Sequence, residues 1–179
     1  MADRRMTAPP LAFFLFDAEE RIVNEMTTRL RESSLDHYRQ METIDLRPRI
    51  EAHFVAYREA VLSGDGTIFG SYVADIGRKR LQQGYGLGEL LFVLDTLFAT
   101  VWEEAAEAWR DRGAEAFDDL RRLARGVSWG KDRLTTVYAE ESKKERAALR
   151  RLSGAFDEYL RLRKAPGSAG DGEKKRGTS

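Results

Sequence analysis

The chain contains no cysteine, which removes disulfides, thiolate metal sites and cysteine nucleophiles at once. Histidine is nearly absent too, limited to His37 and His53. No His/Asp/Glu cluster falls at ligand spacing, so no metal site is expected. Proline is scarce: Pro9, Pro10, Pro48 and Pro166 are the four, which leaves long stretches free of helix breakers. Neither sign of charge is in excess, with 30 basic and 30 acidic residues. A dedicated nucleic-acid binder concentrates basic charge on one face, so no nucleic-acid partner is expected. Long apolar runs are missing as well. Leu11 to Phe16 is cut off by Asp17, Glu19 and Glu20, and Leu90 to Trp102 is interrupted by Asp95. A signal peptide or a membrane span of about 20 residues needs more. The expectation is a soluble, cytoplasmic protein with no membrane partner.

What is present is helical periodicity over 179 residues, 42% of them hydrophobic, enough for one domain with appendages. Ile22, Val23, Met26 and Leu30 mark a first helix over Pro10 to Glu32. SSLDHYRQMETID reads as a connector, with Asp45 as the cap of the next helix and Pro48 in its first turn. Ile50, Phe54, Tyr57 and Val61 lie on one face of that second helix. Ser63-Gly64-Asp65-Gly66 closes it, Gly64 suiting a left-handed position and Asp65 capping a third helix. That helix, Thr67 to Gln83, carries Phe69, Val73, Ile76 and then Arg80 on one stripe. A fourth, Leu87 to Arg112, is apolar on most sides at its start and is expected in the middle of a bundle.

The last periodic pattern runs from Ala114 to about Arg163. Gly126 and Gly130 sit one turn apart inside it and imply a kink or a close helix approach. Glu140 and Glu141 are placed to pair with Lys144. Leu149, Leu152, Phe156 and Tyr159 then form a short heptad-like stripe, read as a dimer seam. The expected organisation is a disordered N-terminus (1–10), a helical bundle (11–138), an extended linker or coiled-coil helix (139–163) and a disordered tail (164–179).

GRKRLQQGYGLGELLFVLDTLF, residues 77–98, places Gly77, Gly84, Gly86 and Gly88 next to the most hydrophobic segment. The glycine spacing is not that of a Walker loop, and it comes after a helix instead of a strand, so a nucleotide loop fails its context. A tight joint is the better reading, with Gly84, Tyr85 and Gly86 as the turn and the flanking helices packed antiparallel. Arg80 continues an apolar stripe toward this joint. It is a candidate for binding an anionic ligand or for an ion pair with Asp95, since an unpaired buried charge is costly.

From Asp36 to Glu104, and above all in AVLSGDGTIFGSYVADIGRKRLQQGYGLGELLFVLDTLFATVW, the chain resembles RsbRD-type stress proteins, the RsbT co-antagonist N-terminal family. The -SGD- break, Arg80 four residues before Gly84, Tyr85 after it and a leucine-rich helix ending in Val101-Trp102 carry the resemblance, which spans most of residues 11–138. It implies an all-α, globin-like bundle of about five helices without haem, upstream of an output module. No room for such a module remains after the linker helix, so the expectation is either a domain that works alone, as a dimer or through a partner protein, or a piece of a longer protein. The function expected is a non-catalytic sensory or regulatory domain that relays a signal by helix repacking, forms a homodimer, engages a regulatory protein and takes an unidentified small ligand. Two alternatives stand beside it. One is a haem- or gas-binding globin-type sensor using His53 or His37 as axial ligand. The other is a structural protein–protein interaction module. Catalysis is not expected: no catalytic constellation is visible, the Glu103, Glu104, Glu107 cluster reads as a solvated face, and no Glu-x-x-His pairs support a di-iron site.

Overall fold

Scarce proline and sustained apolar periodicity have the consequence expected of them. The computed structural model describes residues 10–164 and contains only helices and turns among them. The elements are α1 (Leu11–Asp17), α2 (Glu19–Glu32), α3 (Asp36–Arg39), α4 (Thr43–Ser63), α5 (Gly66–Gln82), α6 (Leu87–Ala108), a 3₁₀ segment (Arg110–Ala116) and α7 (Phe117–Lys164). The all-α class is therefore shown, with seven α-helices among the described residues where about five were expected. The expected first helix divides at Ala18, and part of the expected connector folds as α3. Among the described residues no helix is long and apolar enough to cross a membrane. The expected disordered segments lie outside the described residues, except for Pro10, which precedes α1, and Lys164, which closes α7.

Backbone contacts divide the chain into two units, one up to Glu140 and one from Glu141. In the first unit, α4 lies between α2 and α5, and α6 lies against α2. Phe14, Ile22, Met26, Phe54, Tyr57, Phe69, Leu94 and Leu97 are buried in its core. Salt bridges tie α2 to α6 across the surface, Arg21 to Glu104 at 2.9 Å and Arg29 to Glu103 at 2.5 Å. Glu103 and Glu104 are thus ion-paired, not merely solvated as their spacing implied.

Local details separate what short-range chemistry specifies from what it does not. Gly64 adopts the left-handed conformation (φ 75°), and Asp65 accepts a hydrogen bond from the Thr67 N–H at 2.9 Å as the α5 cap. Asp45 is not a cap. The helix begins earlier, at Thr43 after Glu42, with no side-chain cap, and Asp45 lies in its first turn. Pro48 is consequently inside α4, where it leaves the Ile44 carbonyl without its helical donor. The helix α6 is not surrounded on all sides: Phe92, Asp95 and Trp102 are exposed on one face.

Gly126 and Gly130 mark close approaches, and α7 continues through both. A Cβ on Gly126 would stand 2.5 Å from Val61 Cγ2, and one on Gly130 would stand 2.6 Å from Phe69 Cε1. Glycine lets α7 lie directly on the side chains of α4 and α5. The Tyr57 hydroxyl donates to the Leu123 carbonyl at 2.9 Å, and Arg122 Nη2 donates to the Val61 carbonyl at 3.1 Å. These bonds fix the register of α7 against α4.

The second unit, from Glu141, consists of the remainder of α7 among the described residues. Lys144 pairs with Glu141 at 2.7 Å. Glu140 pairs with Arg78 at 3.8 Å, not with Lys144. Leu149, Leu152 and Phe156 are exposed by 59%, 67% and 61%.

A candidate apolar cavity with a basic rim

The glycine-rich joint ends α5 in a Schellman motif. Gly84 has φ 90°. Its N–H donates to the Leu81 carbonyl at 3.1 Å, and the Tyr85 N–H donates to the Arg80 carbonyl at 3.0 Å. That pair of bonds satisfies carbonyls left open at the helix end. Gly86 then donates its N–H to Glu89 Oε2 at 2.7 Å and opens α6. Tyr85 is buried and meets an imidazole and a guanidinium. His37 stacks on it with centroids 4.0 Å apart, and the Arg80 guanidinium lies 5.1 Å from its centroid. His37 Nδ1 is 2.8 Å from Glu89 Oε1. Burial works to raise the Glu89 carboxyl, but the bonds from His37 and the Gly86 N–H outweigh it and hold the group below the usual glutamate value.

The densest backbone contacts of α5 are with α4 and those of α6 are with α2. Between these helices lies a cavity of about 320 Å³, partly open to solvent. Its interior wall is apolar, with Leu30, Leu46, Ile50, Leu94 and Leu134 drawn from α2, α4, α6 and α7. Gly77 of α5 also lines it. A Cβ there would stand 2.8 Å from Leu134 Cδ1. An engineered cavity of about 150 Å³ lined by such side chains stays dry and admits benzene.

Polar groups gather where the wall meets solvent. Arg80, half-buried, and Arg49, exposed, both line the cavity. Both guanidinium groups act on the Tyr38 hydroxyl, although burial is the larger influence and drives that phenol upward. Tyr72 responds in the same way, with burial raising it and Arg80 opposing. Arg80 donates to Gln83 Oε1 at 2.8 Å, and Arg49 reaches only the Met41 sulfur at 3.4 Å. Neither arginine has a carboxylate partner among the described residues. The Arg80–Asp95 pair expected from the sequence is not formed: exposed Asp95 bonds Lys131 of α7 instead. The stripe Phe69, Val73, Ile76, Arg80 runs from core to cavity rim, so Arg80 reaches the opening without crossing α6.

The two histidines occupy separate surroundings. His37 belongs to the joint. His53 lines the cavity and meets Phe69 and Tyr72 edge-on, with centroids 5.1 and 5.5 Å away. The residue is only partly buried because it faces the cavity. Its Nε2, however, is buried without a hydrogen-bond partner. Burial lowers the His53 pKa to about 4, so the ring is neutral at neutral pH. Of the expected seam, Leu149, Leu152 and Phe156 share an exposed face, while the Tyr159 side chain lies outside the described residues.

Arg49, Tyr38 and Tyr72 were not singled out by sequence. Tyr38 lies in what reads as a connector, and Arg49 merely precedes Ile50 on a helix with ordinary periodicity. Arg80 alone carried a legible sign, a cation on an apolar stripe with no acid one turn away. Among the described residues no group of three or more metal-ligating side chains assembles. Compared with known proteins, the chain matches no family model, no curated protein and no solved structure.

Proposed function

We propose that this protein is a non-catalytic regulatory domain in which occupancy of the cavity between α4, α5 and α6 biases the packing of α7. This is the role that the resemblance to the RsbT co-antagonist N-terminal family implies, with a globin-like bundle, a homodimer, a regulatory protein partner and a cytoplasmic setting. One observation supports it most. Leu134 of α7 forms part of the cavity wall, and the same helix carries exposed Leu149, Leu152 and Phe156. A molecule that fits one α7 packing better than another shifts the population by that difference in affinity. The exposed stripe is suited to a second copy, through coiled-coil-like pairing. Haem binding has less support, because 320 Å³ is only about twice the volume that admits benzene and a tetrapyrrole is far larger.

Filling the space permanently tests this reading. Ile76→Trp places an indole at the cavity wall. Hydrogen exchange across α7 and the mass by light scattering are then compared with the parent. The expected result is altered exchange around Leu134 together with a changed monomer–dimer balance. A folded variant with unchanged exchange and unchanged mass would rule the reading out.

A further inference from the structure

We infer that the cavity takes a medium-chain aliphatic carboxylate, its chain against the leucine-lined wall and its carboxylate between Arg49 and Arg80. The inference rests on the regulatory reading for its purpose but on the cavity alone for its chemistry. Three observations converge. The interior is apolar, lined by Leu30, Leu46, Ile50, Leu94 and Leu134, and apolar walls of this kind favour a hydrocarbon over water. The rim carries two guanidinium groups from different helices, α4 and α5, and neither has a carboxylate partner among the described residues. Asp45, one turn before Arg49 on α4, makes no ion pair with it, and Glu89 near the rim is engaged by His37 and the Gly86 N–H. Guanidinium groups bind carboxylates through paired N–H donors. Tyr38 and Tyr72 also line the cavity, Tyr38 influenced by both arginines and Tyr72 by Arg80, and neither hydroxyl has a hydrogen-bond partner among the described residues, which adds neutral donors for the same head group.

Size narrows the class. If benzene occupies about 150 Å³, each non-hydrogen atom takes about 25 Å³, and the cavity holds about a dozen such atoms. Decanoate fits that measure, with its carboxylate at the rim. Acetate is too small to exclude solvent from the wall, and a chain as long as palmitate leaves much of its length outside. A phosphate or another fully polar anion would match the rim and waste the interior.

The test is calorimetric titration of the full chain with decanoate, decanol and decylamine, repeated on Arg49→Gln/Arg80→Gln. Circular dichroism confirms that the double variant stays helical. The expected result is one decanoate per chain, with decanol about tenfold weaker or worse and decylamine weaker still, because a charged hydrogen bond is lost or reversed. The double variant should lower decanoate affinity about tenfold and leave decanol unchanged, and added salt should weaken only decanoate. Equal affinity for decanoate and decanol overturns the proposal, as does a double variant that binds decanoate like the parent. Val73→Trp, which fills the wall and leaves both arginines in place, should abolish binding of both decanoate and decanol; retained binding places the ligand elsewhere and also overturns it. The regulatory reading fails separately, if decanoate binds as described yet leaves α7 exchange and the oligomeric mass unchanged.

Discussion

Gly126→Ala is a one-carbon change whose effect can be worked out from the structure. The new Cβ would meet Val61 Cγ2 at 2.5 Å, Tyr57 Cε2 at 2.6 Å and Tyr57 Cδ2 at 3.3 Å. Neither neighbour has room to retreat: Val61 is 1% exposed and Tyr57 0%. Tyr57 is also tethered through its hydroxyl to the Leu123 carbonyl, one turn before Gly126 on the same helix. Alanine gains about 1 kcal/mol of helix propensity over glycine. Overpacking a rigid core costs about 1–3 kcal/mol. Displacing the tyrosine ring would strand a buried hydroxyl or carbonyl at about 1–3 kcal/mol more. The balance is a loss of about 3 kcal/mol, or roughly 6–12 °C in Tm for a domain of this size. Urea unfolding measures it directly. Gly88→Ala is the control, since nothing lies within 4 Å of its Cβ, and it should be neutral or gain up to about 1 kcal/mol. A double-mutant cycle with Tyr57→Phe locates the strain. If the ring moves in Gly126→Ala, removing the hydroxyl costs less in that background than in the parent. A Gly126→Ala protein as stable as the parent would refute the claim that glycine is needed for α7 to seat on α4.

Three other outcomes are expected. His53 titrates near 6.5 unfolded and at about 4 folded, so the unfolded chain binds the extra proton first as pH falls. Its contribution is present above pH 6.5 and is lost progressively down to about pH 4, by about 3 kcal/mol at most. Depressed carboxylates such as Glu89 and Glu103 lose stability in the same direction. The measurement is therefore the difference between parent and His53→Gln urea midpoints at pH 7 and pH 4.5, and an equal acid loss in both proteins would count against the buried neutral imidazole. Asp95→Asn removes an exposed partner of Lys131 and should cost less than about 1 kcal/mol; a large loss, or a loss of decanoate affinity, would show that Asp95 acts at the cavity after all. Leu152→Asp puts a charge on the exposed stripe of the second unit and should leave the helical content of the first unit intact while converting a dimer to monomer by light scattering. A parent that is already monomeric, or a variant that stays dimeric, would remove that stripe from the interface.

How much of the fold and of the cavity was legible in the sequence depends on the range of the interaction involved. Gly64, Asp65 and Gly84 were readable because their roles are decided within a few residues. A left-handed turn needs glycine, and an N-cap needs an oxygen two residues before an N–H. The all-α class and the buried faces of α4 and α5 came from periodicity, a property of the chain alone. The start of α4 was misjudged by the same local rules, because Asp45 is a good cap residue but packing lets the helix begin earlier, at Thr43. The cavity could not be read at all. It is space between helices, shaped by how α2, α4, α5, α6 and α7 pack together, and no local residue pattern encodes that. The fate of Arg80 shows the division. Its sequence declared a cation on an apolar stripe without a nearby acid. Only the tertiary structure decided that Asp95 meets Lys131 of α7 and that Arg80 joins Arg49 at the rim of the cavity. Pairing between residues far apart in the chain depends on the rotation and separation of whole helices, and those are fixed by the summed packing of the core.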